Sequence, residues 1–401
     1  MAFAPFITRI YGPEAFGLLG VFMALTAILT PVAALTYPIA IVLPKEDTDA
    51  KGLAKLSFFV ALIMAALTAV ALLVGGEKLL SLIDSESIAP YVMLIPLSML
   101  FAACMQIAQQ WLIRKKQFGI TARVAVIQAL FVNCAKAAFG WFNPVGAVLV
   151  VLATVGQAVH AALLWMGVCK SKSLPERDSG VEVSLKELAK RHLDFPKYRA
   201  PQALLNPLSH SLPVLFLASF FGPAAAGFYT LARSVMVVPS VLISTSVGNV
   251  LYPRMAESAN NSEKISPVII KATLTLALIG IVPFGLLIAF GPLLFELVFG
   301  AEWVTAGDYA QWLTLWLFVG FINVPSNNAL PILSLLPFFL VYEILSILLR
   351  LVALVLGFYV FSNDTLAIAL FSVSGMILNL ALIFVAITKA RHIDNLTMQS
   401  S

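Results

Sequence analysis

Arg350 and Glu343 stand seven residues apart inside an otherwise apolar stretch, residues 334–360. Seven residues make about two turns of an α-helix, so both side chains fall on one side of it. Charges at that depth are expensive and mark a functional position by default. A guanidinium there can hold an anion such as a phosphate, and a carboxyl can take up a proton or couple to a cation. The same two residues can instead form a structural pair, bridged by water, that fastens their helix to its neighbours. Arg233 is a second deep cation, and Thr230, Ser234, Ser240, Ser244, Thr245 and Ser246 keep one aspect of its helix polar. It either lines a cavity or pairs within the protein. Lys136 is a third, nearer a helix end, where four methylenes can carry its ammonium to the interface. Arg9, at the end of the first apolar run, is a fourth cation, either for a cavity or as an interfacial anchor.

Uncharged candidates are weaker. His210 lies near Asn206 and Ser209, and His160 stands alone. Gln106, Gln109, Gln110, Asn249, Asn323, Asn327 and Asn328 can bond a hydroxyl-rich ligand or satisfy one another between helices. Pro31 and Pro239 fall within long apolar runs, where each removes a backbone hydrogen bond and favours a kink. Such bends either help a cleft to move or only improve packing. Cys104, Cys134 and Cys169 have unrelated spacings, which argues against a disulfide framework or a metal cluster. Neither a cofactor nor a metal is expected.

The elements that position these residues follow from composition. The chain is 60% hydrophobic and 11% charged, against roughly 25% charged in an ordinary soluble domain. Lipid must therefore be its solvent. Eleven apolar runs are long enough to span a bilayer, near 16–43, 56–74, 90–113, 124–140, 146–168, 200–221, 224–252, 272–290, 305–325, 334–360 and 365–388. They are too long for barrel strands and lack their alternation, so an all-α, polytopic transmembrane bundle is expected. Twenty of the 25 Lys and Arg fall in connections on one side, 44–55, 114–123, 169–199, 253–271 and the tail from 389. Only Arg9 and Lys78 fall opposite. The positive-inside rule places the first set, and the C-terminus, in the cytoplasm. The same distribution excludes nucleic acid as a partner despite the net charge of +5.

Residues 169–199, with Ser171, Ser173, Pro175 and Gly180, read as a cytoplasmic linker between lobes 1–168 and 200–388, with a tail from 389 to 401. Within the linker, Ser184 can cap a short helix whose Leu185, Leu188 and Ala189 share a face. This is either an interfacial helix, with Lys186, Lys190 and Arg191 at lipid headgroups, or a solvated linker helix. A repeat relates the lobes. Tyr11-Gly12-Pro13-Glu14-Ala15-Phe16-Gly17 recurs as Phe221-Gly222-Pro223-Ala224-Ala225-Ala226-Gly227, followed by Pro31 and Pro239, then Pro44 and Pro253, at offsets of 208 to 210. Equivalent spans are thus six apart and run the same way, a parallel duplication of the kind found in transporters. Residue 1 corresponds to residue 211, partway through a span, so a twelve-span fold with span 1 truncated is expected.

Thr8 to Gly17 (TRIYGPEAFG), Ile39 to Asp47 (IAIVLPKED), Gln110 to Phe118 (QWLIRKKQF) and Phe221 to Pro253, with Leu231-Ala232-Arg233-Ser234 and Pro239, occur in order. In these residues the chain resembles bacterial polysaccharide and O-antigen (Wzx-type) flippases, in the superfamily that also holds multidrug extruders. The resemblance implies two lobes alternating between inward-open and outward-open states. It also implies an undecaprenyl-diphosphate-linked oligosaccharide as substrate, bilayer lipid as surroundings, and other surface-glycan assembly proteins as partners. In such a protein Arg350, Arg233, Lys136 and Arg9 would serve a cationic cavity and Glu343 the coupling.

No phosphate loop, HExxH, CxxC or GxSxG motif occurs, so neither direct ATP drive nor a familiar hydrolase is expected. A glycan polymerase or ligase would resemble its kind in a large outer loop, and the longest outer connection here is 75–89. The closer rival is a cation-coupled multidrug extruder of the same fold. A lipid scramblase or channel is the third option. The deep charges, Lys136, Arg233 and Arg350 against Glu343, favour an anionic cargo.

Overall fold

The computed structural model describes all residues except 1, 2, 83–85, 171–182, 261, 262 and 401. Its α-helices are α1 (Ala4–Ile10), α2 (Pro13–Ala33), α3 (Tyr37–Ala40), α4 (Asp47–Leu82), α5 (Leu94–Arg114), α6 (Phe118–Phe142), α7 (Gly146–Lys170), α8 (Leu185–Arg191), α9 (Ala200–Phe221), α10 (Pro223–Asn260), α11 (Ser266–Phe299), α12 (Val304–Ile322), α13 (Val324–Ala329), α14 (Leu336–Tyr359) and α15 (Asp364–Ser400). Ten of the eleven apolar runs are each carried by a long helix, the run 16–43 is divided between α2 and the short α3, and no strand occurs among the described residues. The protein is a multi-pass membrane protein. Among the described residues, nine of the long helices are apolar enough to cross a membrane by length and composition. The other two, α5 and α12, carry Gln106, Gln109 and Gln110, and Asp308 and Gln311, which lower their apolarity.

Contacts divide the chain into two compact units, Phe6–Gly227 and Phe228–Ser401 with Met1–Pro5. In the first, α2 packs against α5, α7 and α9, and α4 against α5. Outward faces of α4 and α6 expose Leu62, Leu67, Leu73, Ile127 and Phe131, as lipid-facing helices do. Hydroxyls within these helices bond back to carbonyls four residues earlier, as Thr26 does to Phe22 and Ser57 to Leu53.

The run expected at 16–43 is not one kinked span. Pro31 lies in the last turn of α2, which ends at Ala33, and Leu35 and Thr36 then turn through left-handed conformations (φ +48° and +58°) before α3. A β-branched residue is strained there. The Thr36 hydroxyl donates to the Phe195 carbonyl at 3.1 Å, which helps hold the turn. Pro239, by contrast, lies inside an uninterrupted α10 and lines a cavity of about 150 Å³ together with Pro283 of α11.

The linker helix α8 is capped by Ser184, whose Oγ accepts from the Glu187 N–H at 3.2 Å. Its apolar face is partly taken up by the protein, with Leu185 and Ala189 half-buried and Leu188 fully so. Leu188 is 1% exposed among Ala40, Ile41, Ala50, Leu53 and Ile107, and Arg191 pairs with Asp49 at 3.0 Å. Leucine docking on α4 wins because Gly52 leaves a seat for the side chain. Ser171, Ser173, Pro175 and Gly180 of the linker, and the side chains of Lys78, Thr245, Ser246 and Asn249, lie outside the described residues.

Two separate sequence stretches, 39–47 and 110–118, meet at a clasp. Arg114 Nε donates to Asp47 Oδ1 at 3.0 Å, and its other nitrogens reach the carbonyls of Ile41, Pro44, Lys45 and Glu46. Lys115 Nζ binds the second Asp47 oxygen at 2.6 Å. The guanidinium fork suits this turn because a lysine could not serve so many acceptors in one plane.

The two copies of the Gly-Pro repeat also touch, both within the first unit. Pro13 and Pro223 occupy the first turns of α2 and α10, where a missing N–H costs nothing. A Cβ on Gly17 would collide with the Pro223 carbonyl, and one on Gly227 with the Pro13 carbonyl. Each copy therefore supplies the hole that the other fills. Gly222 (φ +89°) also needs its missing side chain for the turn itself, whereas Gly12 at φ −69° does not. Gly17→Ala and Gly227→Ala should each cost about 1–3 kcal/mol through overpacking, read as a lower unfolding temperature in detergent. Gly285, with open space around it, should accept alanine without loss.

Candidate functional site

Helix α14 of the second unit turns its polar residues inward. Tyr342, Ser346 and Arg350, spaced four apart, are buried, and Glu343 is half-buried, while Val341, Leu345, Leu348, Leu349 and Val352 are exposed. This reverses the pattern of a soluble helix and places Arg350 (8% exposed) inside the unit.

Three neighbouring helices receive it. The Arg350 guanidinium carbon lies over the Trp316 ring of α12 at 4.8 Å and near the Phe371 ring of α15 at 5.9 Å. Those two rings meet edge to face, 5.1 Å apart. Gly375, one turn beyond Phe371, leaves room for the indole. From α10 come Tyr229, fully buried, and Arg233, half-buried one turn later. Both guanidinium groups act electrostatically on the Tyr229 hydroxyl, and Glu343 acts on Arg350. Thr314 of α12 donates to Met236 Sδ at 3.2 Å, which ties α12 to α10 beside the cluster.

The structure thus places Arg350, Arg233 and Glu343 in one unit and adds Tyr229, Trp316, Phe371 and, one turn before Arg350, the buried Ser346. The buried Nε of Arg233, the Tyr229 hydroxyl and Ser372 Oγ have no hydrogen-bond partner among the described residues. Chemically, this is a buried cationic cluster. Ring faces stabilise a guanidinium by about 2 kcal/mol when water is excluded, and they do so without neutralising it. Two guanidinium groups outnumber one carboxyl, so the cluster suits a phosphate-like anion, which arginine can grip with paired N–H groups.

The other predicted cations lie in the first unit. Lys136 is half-buried on α6, and its carbonyl accepts from the Tyr11 hydroxyl at 2.9 Å. Its ammonium has no hydrogen bond or ion pair among the described residues. Arg9 is exposed in the last turn of α1. His160, His210, Gln106, Gln109 and Gln110 are half-buried in that unit too. Asn323 is a packing residue, since its Nδ2 donates to Asn379 Oδ1 at 2.9 Å, and Asn328 bonds the Val324 carbonyl.

Sequence reasoning missed the aromatic cage, because membrane helices are full of Trp and Phe with no mark of what they face. The spacing of Tyr342, Ser346 and Arg350 was the signal available for the inward stripe.

Long apolar helices around a buried cationic cluster define a multi-pass membrane protein with a polar interior. Its fold is similar to that of an inward-facing multidrug resistance MATE family transporter of the MOP superfamily (TM-score 0.77, 14% identity, 98% of this chain and 94% of that one). It is also similar to lipid II flippase MurJ in an inward closed conformation (TM-score 0.72, 12% identity, 99% and 88%). The chain belongs to the family described as Polysaccharide biosynthesis protein, which it matches over residues 6–308. Relatives include lipopolysaccharide biosynthesis protein WzxC of Escherichia coli (strain K12), 31% identical over 31% of this chain and 25% of that protein. Amylovoran biosynthesis protein AmsL of Erwinia amylovora is 19% identical over 54% and 55%. The matches span from a quarter to about half the length of these curated relatives.

If Arg350 serves a ligand rather than the fold, replacing it together with Glu343 should not harm stability, because apolar replacement of a whole buried ion pair is often neutral or stabilising, whereas removing one partner alone is costly. Glu343→Leu/Arg350→Met should unfold within about 1 kcal/mol of the parent or above it. Trp316→Leu should lose about 2–4 kcal/mol, since it strands the charge and leaves a cavity. Thermal unfolding in detergent reads both, and a large loss in the double variant would mark the pair as a fastener.

Proposed function

We propose that the protein is a flippase that moves an undecaprenyl-diphosphate-linked oligosaccharide, the repeat unit of a surface polysaccharide, from the cytoplasmic to the periplasmic leaflet by alternating access. The observation that carries this reading is the Arg350 guanidinium, buried on α14 over the faces of Trp316 and Phe371, with Arg233 a second cation in the same unit. Supporting it are membership of a polysaccharide biosynthesis family and the likeness to a lipid II flippase.

A diphosphate crossing hydrocarbon needs its charge matched at each stage. Arg350 and Arg233 hold it in this reading, and Lys136 supplies a further cation in the other unit. Tyr229 and Ser346 are suited to sugar hydroxyls, and the prenyl tail stays in lipid. Glu343 takes up a proton or couples a cation to reset the transporter. The work is transport, with no bond made or broken. The protein acts in the bacterial inner membrane with its C-terminus in the cytoplasm, on the argument of its basic connections.

A cation-coupled multidrug extruder of the same fold is the second reading, favoured by the likeness to a MATE transporter. A cationic drug would meet two like charges in this cluster, so the flippase reading is preferred. Expression in a strain lacking its O-antigen flippase, scored for surface glycan and drug susceptibility, separates the two. Glycan should return without drug tolerance. Arg350→Ala and Arg233→Ala should each reduce transport about ten- to hundredfold, the value of a charge-assisted hydrogen bond, and Glu343→Gln should also impair it. Drug tolerance without glycan, or full transport in both Arg350→Ala and Glu343→Gln, would overturn the proposal.

A further inference from the structure

A cavity of about 760 Å³ in the first unit is lined by residues of α4, α5 and α7 and the turn after α5. It lies beside the Arg114–Asp47 clasp and belongs to none of the residues assigned above to cargo. Its chemistry changes along its length. Lys51, Lys55 and Lys115 form one end, and Phe58, Trp111 and Trp165 form walls, with no carboxylate among the lining residues. Lys51, Lys55 and Phe58 follow at helical spacings of four and three, so one face of α4 runs from ammonium groups to an aromatic ring. By the placement of basic residues, the lysine end is the cytoplasmic end.

The engagement of Lys115 and Trp111 narrows the ligand. Lys115 is held by Asp47 at 2.6 Å and lies over the Trp111 ring at 5.6 Å. Trp111 is thereby engaged by a cation of the protein itself, which leaves that ring face less suited to a choline or ethanolamine headgroup. Lys51 is half-buried and Lys55 exposed at the mouth. Phe58 and Trp165 are also substantially exposed, 41% and 39%, and so offer apolar surface to an acyl chain. Ammonium groups at headgroup level with aromatic rings directly below match the two zones of one leaflet.

We infer that this cavity is a binding site for an anionic phospholipid of the cytoplasmic leaflet, with its phosphate at Lys51 and Lys55 and an acyl chain along Phe58 and Trp165. The lipid would brace the clasped cytoplasmic ends of α4 and α5. This site is independent of which cargo the protein moves.

Full-length protein in nanodiscs of equal phosphatidylglycerol and phosphatidylcholine, released for native mass spectrometry, tests it. The parent should retain one phosphatidylglycerol with roughly tenfold preference over phosphatidylcholine. Lys51→Gln/Lys55→Gln should abolish the preference, and Lys51→Arg/Lys55→Arg should keep it. Equal retention of both lipids by the parent, or an unchanged preference in the glutamine variant, would overturn the inference. So would displacement of phosphatidylglycerol by equimolar undecaprenyl phosphate, which would assign the cavity to the carrier lipid.

Discussion

A guanidinium placed inside a bilayer must find something to hold its charge, and the second unit is organised around that demand. Insertion scales put the cost of a charged residue at a helix centre at about 2.5–3.5 kcal/mol. Arg350 meets it in part through the faces of Trp316 and Phe371. That solution constrains three helices at once. Gly375 must stay small for the indole to seat, and Gly357 for α14 to approach Ala367 of α15. On the far side of α12, Gly307 packs against Pro292 of α11, and Gly291 against the Gly307 carbonyl. Small residues at helix crossings are the usual route to close packing where lipid gives no hydrophobic drive between helices.

The first unit solves a different problem, how to fix helix ends that emerge from the bilayer. Its answers are the Arg114–Asp47 clasp, the docking of Leu188 beneath α4, and the reciprocal seating of Gly17 and Gly227. All three join residues distant in sequence. The clasp also gives a role to the polar residues of two otherwise apolar stretches, 39–47 and 110–118. They are two halves of one contact.

Much of the fold was legible in the sequence because lipid exposure demands long apolar runs, and ten of the eleven such runs each became one long helix. Where legibility failed, local conformation decided. The break at Leu35 and Thr36 leaves no hydrophobic signature, since an apolar run reads the same whether helical or turned. The face of α8 was readable as apolar, but whether it met lipid or protein depended on Gly52 of another helix. At the candidate site, the charges of Arg233, Glu343 and Arg350 stood out against their apolar surroundings. Tyr229, Trp316 and Phe371 were hidden among 9 tyrosines, 6 tryptophans and 28 phenylalanines.

The central claim is that the cluster around Arg350 holds the diphosphate of a lipid-linked glycan. Equilibrium binding of a polyprenyl-diphosphate oligosaccharide to purified protein addresses it without the complications of a cellular assay. The account predicts saturable binding that weakens at least about a hundredfold in Arg233→Gln/Arg350→Gln, as expected when two charge-assisted contacts to phosphate are lost, while the fold is retained. Unchanged affinity in that variant, or tighter binding of a cationic drug than of the glycolipid by the parent, would contradict it.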